Sequence, residues 1–221
     1  RMENWQGAPS ERYRGKGGPV WCQPANNPHP VAPAMLAACQ ALGYPVLDDQ
    51  NGKREEGGIG FAFMNQIIRD GRRQSMARSY LYPVLSKSNV TVLVNTHVDK
   101  LELKGTRVTG VRITRAGVQS VIGANTEVIV SAGGINTPKL LMLSGIGEEA
   151  QLKAHGIKTV VNSGQVGKNF QDHILHGGCI WEPKEYIPHR NSAANVAGFL
   201  KSQSALASPD VNLVQIELQY A

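Results

Sequence analysis

A chain of 221 residues with 41% hydrophobic content is enough for one full domain or two partial ones around an ordinary globular core. Its 23 Lys+Arg against 17 Asp+Glu leave a net charge of +6, but the basic residues are scattered. The densest groups, Arg12 to Lys16 and Arg69 to Arg78, lack interleaved aromatics or a reading helix, which argues against a nucleic-acid-binding module. No apolar run approaches the length of a membrane span, and Cys22, Cys39 and Cys179 show no close pairing and no metal signature, so free buried thiols are expected rather than a disulfide framework.

In chain order, residues 1 to 30 are polar and rich in Gly and Pro, with a short strand expected over Val20 to Gln23. Pro30 and Pro33 open a helical segment carrying Ala34 to Ala38, Ala41 and Leu42, and Gly43 is placed to end it. The turn-rich loop Asp48 to Gly52 follows, then a short strand over Phe61 to Ile68 and a helix over Arg72 to Leu85, stopped near Pro83. Alternation of Val90, Val92 and Val94 with Thr91, Leu93 and Asn95 predicts a strand. Val98 to Leu103 and Val108 to Thr114, separated by Lys104-Gly-Thr106, predict a hairpin, with one more strand over Val118 to Ile122.

Glu127 to Ser131 is a short β-branched run and predicts a buried strand. Gly133-Gly134 interrupts it, and a helix follows, with Asn136 or Thr137 as cap and Pro138 in the first turn. Leu140, Leu141 and Leu143 are expected to pack inward, and Ser144 to Gly147 ends the helix. A short helix over Glu148 to His155, closed by Gly156, and strand character over Ile157 to Val161 come next. Beyond Gly164 the expected elements are strands over Ile174 to Trp181 and Val211 to Leu218, joined by a Pro-containing loop.

The chemistry-bearing pattern is the junction at Ala132-Gly133-Gly134. Glycines there permit backbone geometry closed to other residues and let a ligand reach the main chain. The helix start offers unpaired N–H groups and a positive dipole end, suited to a phosphate. The same pattern also suits a tight strand-to-helix turn with no ligand. The dinucleotide fingerprint GxGxxG is absent; Gly145-Ile-Gly147 lacks the third glycine and follows a helix rather than a strand.

Ser131-Ala-Gly-Gly-Ile-Asn-Thr-Pro-Lys-Leu-Leu-Met-Leu-Ser-Gly-Ile-Gly147 closely resembles the second signature of the glucose-methanol-choline oxidoreductase family. Val166 to His173, Tyr13 to Pro19, Asp70 to Leu81 and Asn89 to Val94 resemble further family segments in the right order. The resemblance implies an α/β fold in which part of a Rossmann-like FAD-binding domain is joined to part of a substrate domain built on an antiparallel sheet. The implied division is 1–85 as an arm and part of the substrate domain, 86–173 as part of the FAD-binding domain, and 174–221 as the start of a second substrate-domain segment, in an internal piece of a longer protein. FAD is the implied cofactor, an alcohol the implied substrate, and oxygen or a quinone the implied electron acceptor.

By the same resemblance, Val98 meets the adenine part of FAD through its backbone, and Ser131, Ala132 and Gly133 lie beside the nucleotide half. Asn169, Asp172 and His173 belong to a stretch near the flavin-binding region. The family's glycine-rich pyrophosphate loop, first signature and C-terminal catalytic histidine have no counterpart in this sequence. None of the six histidines stands in the catalytic context, so the chain alone is expected to be inactive. Trp181, Tyr186, Phe199 and Gln215 are candidates for an access route, with core packing the equal alternative for each, and Glu217 is a candidate, by location, for meeting a choline-like cation. A non-catalytic α/β scaffold or interaction domain with a decayed flavin site is the alternative reading. Neither a cytoplasmic nor a membrane-peripheral setting is fixed by the residues.

Overall fold

The computed structural model describes residues 2–177, 179–190 and 192–217. In chain order the elements are β1 (Glu3–Trp5), β2 (Val20–Cys22), α1 (Val31–Ala41), β3 (Gly60–Phe63), β4 (Ile68–Arg69), β5 (Arg72–Arg73), β6 (Thr96–Lys104), β7 (Arg107–Arg115), β8 (Val118–Gly123), α2 (Gly133–Leu143), β9 (Ile146–Gly147), α3 (Glu149–Ala154), β10 (Val161–Asn162), β11 (Ala194–Leu200) and β12 (Val211–Ile216). They divide into two compact units, one formed by Arg1–Val90 with Trp181–Ala221, the other by Thr91–Ile180.

The first unit is built on an antiparallel sheet in the order β12-β11-β3. Helix α1 places Ala32, Leu36 and Cys39 on one face through their 4- and 3-residue spacing, and that face packs on Phe61 and Val196. Burying side chains of the size of Leu36, Phe61 and Val196 contributes roughly 1.5–3 kcal/mol each. Gly198 lies opposite Phe61 across the β11–β3 ladder. A Cβ at Gly198 would stand 2.1 Å from Phe61 Cε1, so the phenyl ring occupies space that only glycine leaves open.

A second construction ties the N-terminal arm to this body. The Arg14 side chain is 4% exposed. Its Nε donates to Asp49 Oδ2 at 2.7 Å and its Nη1 to Glu3 Oε1 at 2.8 Å, while Nη2 reaches Asp49 Oδ1 and Asn65 Oδ1. The guanidinium lies 3.7 Å from the Trp5 ring centroid. Burial alone would lower the Arg14 pKa, but the Asp49 and Glu3 carboxylates outweigh it and hold the pKa above the ordinary value. One arginine thus joins β1 to the loops at Asp49 and Asn65.

The second unit carries the antiparallel sheet β6-β7-β8. The expected hairpin over 98–114 is present, with Gly105 at φ +60 between β6 and β7. The next turn uses Ala116 and Gly117 at φ +49 and +78, the left-handed pair that a tight two-residue hairpin requires. Helix α2 lies against β6 and is fixed there by Ser144. Its Oγ accepts the Leu101 N–H at 2.8 Å and donates to Leu140 O at 2.6 Å. Beyond α2, Gly145 bends the chain into β9, which pairs in parallel with β10, and Leu152 of α3 is fully buried.

Several expectations are corrected. Residues 90–95 and 127–131 form no strand; among the described residues they have no ladder partner. Val94 and Ile129 stand largely exposed. The residue pattern marks an extended apolar segment, but a strand also needs a lateral neighbour. Residues 72–85 do not begin as a helix. Ile68–Arg69 and Arg72–Arg73 form a small hairpin around Asp70 and Gly71, at φ +51 and +68, and helical turns start only at Ala77.

Leu143 of α2 is exposed rather than packed inward. Strand character near 157–161 is confined to Val161–Asn162. Residues 174–181 form no strand where they are described, and Gly178 lies outside the described residues. The last expected strand is present as Val211–Ile216; Leu218 lies outside the described residues.

Candidate functional site

The junction after Val130 turns straight into helix α2. The helix begins at Gly133, with Ala132 as its N-cap residue at φ −88 and ψ 7 and no side-chain cap. The expected cap from Asn136 or Thr137 therefore does not stand at the helix start. Thr137, inside the helix, instead reaches back: its Oγ1 accepts the Ala132 N–H at 3.1 Å. Pro138 also sits inside the helix and has no N–H to give the Gly134 carbonyl.

Gly133 adopts φ +87, and a Cβ there would meet nothing within 4 Å. Residues 131–136 are all exposed, and the first turn carries no acidic side chain. An exposed backbone bend, a helix dipole's positive end and open space beside the main chain therefore coincide. These features suit a phosphate- or ribose-bearing group, and the residues present fit the nucleotide half of a dinucleotide cofactor.

The segment after β10 returns to the same helix. A Cβ at Gly134 would lie 3.7 Å from Phe170 Cε2, and one at Gly167 would lie 3.3 Å from Met142 Cε. Lys168 Nζ pairs with Glu148 Oε2 at 2.6 Å. The structure thus brings the 166–170 stretch to the face of α2 that begins at the candidate junction. Asn169, at φ +57, is exposed and its amide donates to Gln165 Oε1 at 3.2 Å. Asp172 and His173 are exposed; the Asp172 carboxylate accepts the His173 backbone N–H at 2.8 Å. Val98 lies on β6 opposite Ile113, beside a register shift, with its side chain partly exposed.

Phe170 lies inside the 166–173 stretch that the sequence marks, but is not singled out there; its ring is the group that approaches Gly134. A lone aromatic in a polar, turn-rich run carries no periodic signal, and only the return of the chain to α2 reveals its place. The access-route candidates separate. Trp181 and Tyr186 are exposed, Phe199 lies under the Arg54 guanidinium at 4.0 Å, and Gln215 is buried. Glu217 is turned inward, with its side chain 4% exposed.

Among the described residues, no group of three or more His, Cys, Asp or Glu is arranged to hold a metal ion, and no helix is long and apolar enough to cross a membrane.

Comparison with known proteins identifies the family. The family model described as GMC oxidoreductase matches residues 18–175. The oxygen-dependent choline dehydrogenase of Brucella ovis is 45% identical over 174 residues, covering 79% of this chain and 31% of that protein. The human mitochondrial choline dehydrogenase is 36% identical over 225 residues, covering 91% of this chain and 37% of that protein. Pyridoxine 4-oxidase from Mesorbium loti superposes with a TM-score of 0.86 at 27% identity, covering 96% of this chain and 42% of that one. The chain spans about a third of the length of these curated relatives. Its mixed α/β architecture, with short parallel pairings and larger antiparallel sheets, is the partial FAD- and substrate-domain architecture of such neighbours. On the match over residues 18–175, the chain belongs to the GMC oxidoreductase family.

Proposed function

We propose that the whole protein oxidises an alcohol with FAD, and that this chain contributes the nucleotide-side cradle together with part of the substrate-side sheet. In this reading the backbone at Val98 and the main chain of Ser131, Ala132 and Gly133 hold the adenosine and phosphate half. Asn169, Asp172 and His173 border the region toward the flavin. Residues 86–173 belong to the FAD-binding domain, and 1–85 with 174–221 to the substrate side. The observation that carries the reading is the uncapped start of α2, with Gly133 open to solvent at positive φ.

Bound FAD supplies a hydride acceptor that amino-acid side chains do not provide. The protein's own part is to position the nucleotide, exclude water and remove the hydroxyl proton with a base. No histidine of this chain has the setting for that last task. His29 is buried with its Nδ1 taken by the Val31 N–H. His97 stands exposed beside Asp99, and His155 ends α3. The names of the bacterial and human relatives make a choline-type alcohol the first substrate to test, with oxygen or a quinone as electron acceptor.

The 221-residue chain alone is expected to be inactive and to bind FAD weakly or not at all, since its sequence has no GxGxxG loop. Titration of the purified chain with FAD tests this. Micromolar binding accompanied by alcohol-dependent bleaching of the flavin would overturn it.

A further inference from the structure

A polar knot is buried in the first unit, on the β12-β11-β3 sheet and apart from the candidate cofactor junction. Its members are Asn195 on β11, Gln215 on β12 and Glu217 just after β12. A buried position on a sheet favours apolar side chains, yet Asn195 is 1% exposed, Gln215 6% and the Glu217 side chain 4%. The β11–β12 ladder slips by one residue between Ala194 and Val196, so Asn195 has no partner across it. Such a bulge re-aims a side chain, and here it brings the Asn195 amide to Glu217.

The hydrogen bonds of the knot run one way. Asn195 Nδ2 donates to Ser192 O at 3.0 Å and to Glu217 Oε1, and Gln215 Nε2 donates to the same Oε1 at 3.3 Å. The three remaining oxygens, Asn195 Oδ1, Gln215 Oε1 and Glu217 Oε2, are buried and accept nothing. Each shares its carbon with one of the hydrogen-bonded atoms, so covalent geometry keeps the three close together. Two of them are carboxamide oxygens, which are acceptors whatever the state of Glu217. Buried acceptors without donors are costly, and three in one place mark a site short of donors.

Among the described residues, no side chain meets this need. No Lys or Arg of them makes an ion pair with Glu217; the groups that face it are His29 and His189. His29 Nδ1 accepts the Val31 N–H at 3.3 Å. His189 Nδ1 stands 3.7 Å from Oε2, beyond hydrogen-bonding distance. The His189 side chain is 44% exposed, so the knot lies one side chain below the surface.

We infer that Asn195, Gln215 and Glu217 form a binding site for a small primary ammonium group. Such a group offers three N–H donors on one centre, as a lysine ammonium does, and three oxygens here lack donors. The carboxylate beside the two amides favours a cation over a neutral amine or water. A quaternary ammonium has no N–H and leaves all three oxygens without donors. Taken with the function proposed above, on which this last step rests, the site makes the substrate an alcohol bearing a primary amine rather than a fully methylated one.

The test is a titration of the 15N-labelled 221-residue chain with 2-aminoethanol and with tetramethylammonium, at neutral pH and without FAD, read at the side-chain amide signals of Asn195 and Gln215. 2-Aminoethanol is expected to move both signals saturably, and tetramethylammonium to leave them in place. This comparison on the native chain needs no variant. Glu217→Gln keeps the shape of the side chain, removes its charge and should weaken the binding roughly tenfold, with unchanged β3 and β11 backbone shifts reporting an intact sheet. Neither FAD nor turnover enters the measurement, so its failure strikes the site and leaves the alcohol-oxidation reading to the flavin experiments. No saturable shift with 2-aminoethanol, as for a knot satisfied by water alone, would overturn the inference. An equal response to tetramethylammonium, or undiminished binding by the folded variant, would do the same.

Discussion

Replacing Arg14 by Met tests what holds the N-terminal arm on the first unit. Methionine keeps most of the apolar stem against Trp5 but removes the charge shared by Asp49, Glu3 and Asn65. Stranding the partners of a buried ion pair costs about 3–5 kcal/mol. Here the carboxylates of Asp49 and Glu3 are 24% and 26% exposed, so water recovers part of the loss. The expected destabilisation is therefore about 3 kcal/mol, near the lower end of that range.

All three tryptophans, Trp5, Trp21 and Trp181, lie in this unit, so tryptophan fluorescence during urea unfolding reports it selectively. The pH dependence supplies a second readout. Burial pushes the Asp49 carboxyl up, but the Arg14 hydrogen bonds and charge, with the Asn51 N–H and Asn65, pull it below its usual value. The stability this contributes is complete above the ordinary carboxyl value and is lost as pH falls through the lower folded value. The gap between the native chain and Arg14→Met should therefore narrow in acid. A loss below about 1 kcal/mol, in the range of an exposed pair, would refute the reasoning, as would a gap that does not change on acidification.

Gly198→Ala places a Cβ against the Phe61 ring and should cost about 1–3 kcal/mol by forcing that ring off its packing; the same fluorescence melt checks it. Ser144→Ala strands the buried Leu101 N–H and should destabilise the second unit by about 1–3 kcal/mol, read by amide exchange at β6 and the end of α2. Burial raises the thiol pKa of Cys22 and of Cys39, with Glu3 adding to the effect at Cys22, whereas Cys179 is exposed. Peptide mapping after brief iodoacetamide treatment at neutral pH should find label on Cys179 first, and label first on Cys39 would contradict the packing of α1.

Local signals in the sequence identify those parts of the fold whose stabilising partners are near in the chain. The α1 helix, the hairpin around Gly105 and the end of α2 at Ser144 to Gly147 follow from spacing and turn chemistry. The hairpin at Asp70-Gly71 is equally readable, since Asp-Gly is a strong tight-turn signal, and it displaces the start of the helix expected over 72–85. Residues 90–95 and 127–131 are extended without a partner strand among the described residues. Alternation and β-branching mark an extended chain, and nothing in the run itself says whether a neighbouring strand is at hand. The Ala132-Gly133-Gly134 bend was visible because glycines punctuate an apolar run. The approach of Phe170 to Gly134 and the burial of Glu217 depend on distant segments meeting, which no local pattern encodes.

The central claim is that main-chain atoms after Val130 line the resting place of the nucleotide. The most direct measurement is a crystal structure of the whole protein with FAD bound. It should show the adenosine or phosphate half within van der Waals reach of the Ala132 and Gly133 backbone, over the open side of Gly133. FAD bound elsewhere, with that backbone facing solvent or another side chain, would contradict the account.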